Sequence, residues 1–81
     1  MMKLHLNEKA KQARIKAGLT QMDVASMLRL ELGIKASVSA LQKWERGAKP
    51  VTAEAALGIA RILGIKEVDD IVVRKEVAHT R

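Results

Sequence analysis

The stretch SVSALQKWERG, residues 37–47, holds the only aromatic side chain of an 81-residue chain, Trp44, set among Gln42, Lys43, Glu45 and Arg46. Ser37 is a good N-cap and Gly47 a good helix stop, so the span between them reads as one helix over about residues 38–46. At about 100° per residue, Val38, Leu41 and Trp44 fall on one side of that helix, and Ser39, Gln42, Lys43 and Arg46 point elsewhere. A large indole on an apolar stripe belongs to the core. The helix therefore has one buried side and one working side.

Outward from this helix the chain is punctuated regularly by Gly18, Gly33, Gly47 with Pro50, and Gly64. Each glycine closes an apolar pattern of helical period, as a left-handed residue after a helix does. The first segment runs from about Leu6 to Ala17, with Asn7 as a plausible N-cap and Leu6, Ala10, Ala13 and Ala17 as its stripe. Thr20 caps a second helix, with Asp23 three residues on as an acidic first-turn partner and Val24, Ala25, Leu28 and Leu32 as its stripe. Thr52 caps a fourth, for which Ala53, Ala56, Leu57, Ala60 and Leu63 form the expected inner side. Gly58 inside it costs about 1 kcal/mol against alanine. The end, IVVRKEVAH, reads as a fifth helix or a short strand; Val68, Ile71 and Val72 favour a helical turn first. The fold class expected is all-α, a compact bundle of about five helices in a single domain.

The chain's charge is uneven. Residues 1–49 carry ten Lys/Arg against four Asp/Glu, and residues 50–81 carry five of each, so the whole net charge of +6 sits in the first part. A basic segment joined to a neutral one suggests a polyanion-binding surface backed by a packing or association surface, and the bland alternative is a solubilising charge. With no cysteine, disulfides and thiolate metal sites are ruled out, which suits a reducing cytoplasm. MMKLHLNEK lacks the apolar run of a signal peptide, and nothing approaches a membrane span. His5 and His79 are isolated from other ligand types, and no nucleophile–base set, glycine-rich phosphate loop or convergent carboxylate pair occurs. Neither an enzyme nor a cofactor is expected.

Three stretches together carry a resemblance: RIKAGLTQMDVA (14–25), SVSALQKWERG (37–47) and ALGIARILGI (56–65). They resemble the helix-turn-helix family of phage repressors and Cro proteins, the XRE-like, lambda-repressor-like regulators, over roughly residues 6–71. In that family the second helix of the motif enters the major groove while the helix before it bridges to the backbone; here these would be about 38–46 and 21–32. One departure stands out. Eight residues separate Ala25 from Gly33 where the family usually has four, and Gly33 to Trp44 is two residues longer than usual. The extra RLEL reads as one more turn of the second helix, since Leu28 and Leu32 stay in phase.

The resemblance implies base contacts from Val38, Ser39, Gln42 and Lys43. Chemically, lysine can donate to guanine, glutamine can pair with adenine, serine is permissive and valine can touch a thymine methyl. Gln21, at the N-terminus of the second helix, is implied to meet a phosphate, as are Arg14, Lys35, Ser37, Arg46 and Lys49, the last on a loop that tracks the backbone in the family. Arg14 and Glu45 match the family's basic residue four before its glycine and the acidic residue after the Trp44 position, so a structural pair is expected. The reading is a sequence-specific regulator of double-stranded DNA, a repressor acting as a homodimer on a palindromic operator. The neutral second part, with Val68, Ile71, Val72, Val73 and Val77, is the expected association surface, its tail 72–81 serving dimerisation. An antitoxin that also binds a toxin partner, and a DNA-independent adaptor, are the alternatives.

Overall fold

A computed structural model describes residues 2–76. A strand β1 (Met2–Leu6) leads into helices α1 (Glu8–Lys16), α2 (Gln21–Leu32), α3 (Val38–Glu45) and α4 (Ala53–Ile62), then a 3-10 turn (Val68–Asp70) and a second strand β2 (Val72–Glu76). The helices begin where side chains can satisfy their free N–H groups. Asn7, Thr20, Ser37 and Thr52 each accept from a first-turn backbone N–H, an interaction that contributes about 1 kcal/mol per helix. Thr20 and Asp23 go further and exchange two bonds, Asp23 N to Thr20 Oγ1 at 3.0 Å and Thr20 N to Asp23 Oδ2 at 2.8 Å. At the other end of α3, Gly47 takes φ +72° so that Ala48 N can reach back to Lys43 O at 2.9 Å. A side chain at that φ would be strained.

The fold is not all-α, and the described residues form four α-helices rather than five. β1 and β2 pair antiparallel, Met2 opposite Glu76 and Leu6 opposite Val72. Leu6 thus ends a strand instead of opening a helix. Met2, Leu4 and Leu6 alternate with Lys3 and His5, a period of two that marks a half-buried strand. Asn7 joins this ribbon to the helices: its Oδ1 caps α1, its Nδ2 donates to Asp70 O at 3.0 Å and its N–H to Ile71 O at 2.9 Å.

A continuous core runs from Leu6 and Val72 at the ribbon through Val24, Leu28, Leu41, Trp44, Val51 and Ile59. One expectation about it fails. In α4 the inner side is Ala55, Ala56, Gly58, Ile59 and Ala60, while Ala53 and Leu57 face solvent, so the stripe is rotated from the one expected. The reason is Gly58: a Cβ there would meet Ile34 Cδ1 at 2.6 Å and Leu28 Cδ2 at 2.8 Å, so α4 lies on α2 through its one residue without a side chain. At the other end of the chain, Ile71 and Val72 are 1% and 5% exposed. They belong to the chain's own core; of the other residues expected to associate, Val68 is half-buried, Val73 is exposed, and Val77 lies outside the described residues, as does His79.

Candidate nucleic-acid interface

The site is built around α3 because both ends of the helix and its inner side are held. Leu41 and Trp44 are buried beneath it. Opposite them, Ser39, Gln42, Lys43 and Arg46 are exposed on one face, and Val38 at its start is half-buried against the core. Ser37 is exposed and spends its hydroxyl on Ala40 N at 3.0 Å, which leaves the N–H groups of the first α3 residues open at the positive end of the helix.

Behind α3 a small network fixes its attitude to α1 and α2. Arg14 Nε and Nη2 donate to the two oxygens of Glu45 at 2.6 and 3.0 Å, and Nη1 donates to Leu19 O at 2.8 Å. Gln21 Nε2 adds a third donor to Glu45 Oε1 at 3.0 Å. The Arg14 and Glu45 side chains are 12% and 5% exposed. The planar fork matched to a carboxylate is the geometry for which arginine is suited and lysine is not. Gln21 is therefore a bridge between α2 and α3, with its amide oxygen and one amide N–H left over.

The enlarged turn is shaped by a residue that sequence reasoning missed. Arg29, on the additional turn of α2, donates from Nη1 to Ala36 O at 2.8 Å. Ile34 and Ala36 are buried, so the loop enters α3 from a fixed position. The only local signal was a cation in the last turn of a helix, which its dipole favours anyway; the carbonyl it reaches is set by the fold. Arg29, Lys35, Ser37 and Lys49 come together around a cleft whose floor includes Ala40 and Trp44. The sequence-predicted residues thus fall into three groups: Arg14, Gln21 and Glu45 in the partly buried network, Lys35, Ser37 and Lys49 at the cleft, and Ser39, Gln42, Lys43 and Arg46 on the open face with Val38 beside them.

The arrangement can donate hydrogen bonds to an anionic backbone from several directions, while offering both donors and acceptors along α3. Among the described residues no group of His, Asp and Glu could hold a metal ion, and no helix is long and apolar enough to cross a membrane. The class defined by this fold is matched by comparison: a family model described as helix-turn-helix domain covers residues 6–70. The chain belongs to that helix-turn-helix family, a family of DNA-binding regulators. Neither a curated protein nor a solved structure gives a significant match.

Proposed function

We propose that the protein is a sequence-specific transcriptional regulator, a repressor that binds a palindromic operator as a two-fold homodimer in the cytoplasm. The observation that carries this reading is the open face of α3, with Ser39, Gln42 and Lys43 presented opposite the buried Leu41 and Trp44. A helix held from behind by an ion-pair network and left polar in front is suited to the major groove, whose base pairs present distinct donor and acceptor patterns. Ser39, Gln42 and Lys43 read bases, with Val38 against a thymine methyl. Lys35, Ser37, Arg46 and Lys49 grip phosphates, joined by the leftover groups of Gln21 and Arg14.

Selection of bound sequences from random duplexes tests the proposal. A palindromic consensus should emerge, and affinity for it should fall with salt. Arg14 is already neutralised by Glu45, so three cations per protomer that are unpaired among the described residues (Lys35, Arg46, Lys49) should set the slope of log affinity against log salt at about −5 for the dimer. An absence of any consensus, together with a slope near zero, would overturn it in favour of a protein adaptor.

A further inference from the structure

Leu57 is expected in the core by its spacing but stands 57% exposed on α4. Beside it a groove of about 280 Å³ opens between α4 and the end of α2, lined by Leu32, Ile34, Gly58, Glu54 and Arg61. That is many times the ~30 Å³ share of a water molecule, so the groove can take a side chain. Isolated apolar residues are ordinary on a surface; this one borders an apolar recess and lies between two opposite charges.

Those charges are unused among the described residues. Glu54 and Arg61 are exposed, and neither side chain has a hydrogen-bond or ion-pair partner among the described residues. They lie one turn before and one turn after Leu57, separated along the helix by about 10 Å, too far to pair with each other.

We infer that this face of α4 is the self-association surface of the protein, each copy inserting its Leu57 beside the groove of the other. Helices crossing antiparallel about a two-fold axis beside the exposed Leu57 bring Glu54 of one copy opposite Arg61 of the second, and the same pair recurs by symmetry. An isologous contact requires such self-complementarity. An unrelated partner would have to supply the reversed charge order independently, whereas a second copy brings it automatically. Ile71 and Val72, two of the C-terminal residues expected to associate, are already buried in the chain's own core. The inference supplies the second copy on which the two-fold operator reading rests, yet the association itself is measured without DNA.

The test uses the whole chain in sedimentation velocity over a concentration series, with Glu54→Arg, Arg61→Glu and an equimolar mixture of the two. The parent should form a dimer. Each variant alone places like charges opposite each other at both ends and should dissociate about tenfold or more weakly bound than the parent. In the mixture, one chain presents two arginines and the other two glutamates, so a dimer should return. The inference is overturned by a parent that stays monomeric alone, which would leave the groove to a different protein. It is equally overturned by variants that associate as the parent does, or by a mixture that stays monomeric. A parent dimer with the expected charge pattern but no duplex preference would remove the DNA reading and leave this surface standing.

Discussion

Arg14 and Glu45 meet through a fork of two N–H···O bonds, 2.6 and 3.0 Å long, and so tie α1 to α3 across 31 residues of chain. Both side chains are nearly withdrawn from water. Breaking such a pair from one side leaves a charge buried without its partner, and that cost exceeds whatever the intact pair contributes. Glu45→Ala strips the acceptor from Arg14 and Gln21 together. It should lose about 3 kcal/mol of stability, lowering the melting temperature on the order of 15 °C for a domain this small, and should weaken DNA binding by freeing α3. An unchanged melting temperature would refute the structural role.

Gly58→Ala should destabilise the protein even though alanine is the better helix former. Helix propensity favours the substitution by about 1 kcal/mol. Against it, the added methyl meets Ile34 Cδ1 at 2.6 Å and Leu28 Cδ2 at 2.8 Å, and overpacking of this kind costs about 1–3 kcal/mol. Leu28 is fully buried and cannot swing away. The net expectation is a loss of about 1 kcal/mol, read as a melting temperature lower by about 5 °C. A variant that melts higher than the parent would show that Ile34 and Leu32 yield into the adjoining groove.

The capping box at α2 gives stability a specific acid dependence. The Thr20 backbone N–H, and after it the Thr20 side chain, hold the Asp23 carboxyl below its ordinary value, against a smaller opposing effect of desolvation. A carboxylate whose pKa is depressed by folding contributes stability that is fully present above its unfolded pKa and is lost as pH falls through the folded one. The difference in unfolding free energy between the parent and Asp23→Ala should therefore be constant at neutral pH and shrink below about pH 4. Denaturant titrations at a series of pH values measure it; a difference that stays the same into acid would assign the cap to Thr20 alone.

What could be read from the sequence follows the range of the interactions. The caps at Asn7, Thr20, Ser37 and Thr52 and the glycine stops were legible because each is a contact between neighbours in the chain. The exposed face of α3 followed from placing Leu41 and Trp44 inside. The ribbon was only half legible: a strand at β2 was one of the two readings of IVVRKEVAH, but β1 and β2 come from opposite ends of the chain with four helices between them, and no turn sequence announces the pairing. The phase of α4 was ambiguous because its many alanines allow two apolar stripes, and only the approach of Leu28 and Ile34 to Gly58 decides between them. For the same reason Gln21's bond to Glu45 and Arg29's hold on Ala36 emerge only once the helices are packed.

Lys43 and Lys49 should respond differently to removal, because they stand at different places around α3. Lys43 is exposed on the helix one turn after Ser39, on the side away from Leu41 and Trp44. Lys49 lies beyond Gly47, where the chain has left the helix, and lines the cleft shared with Arg29, Lys35 and Ser37. If Lys43 reads a base, Lys43→Ala should cost about 1–3 kcal/mol on the selected site and relax discrimination at one position. Lys49→Ala should weaken binding to selected and scrambled duplexes alike and reduce the salt slope by about one unit per protomer. Lys35→Ala, at the same cleft, should behave as Lys49→Ala does. Affinities of all three variants on both duplexes across a salt series decide the matter. Were Lys43→Ala to weaken both duplexes equally while Lys49→Ala changed sequence preference, α3 would have to lie rotated in the groove. The cause would then be sought in the enlarged turn that Arg29 pins at Ala36, since that turn sets the direction from which Ser37 enters the helix.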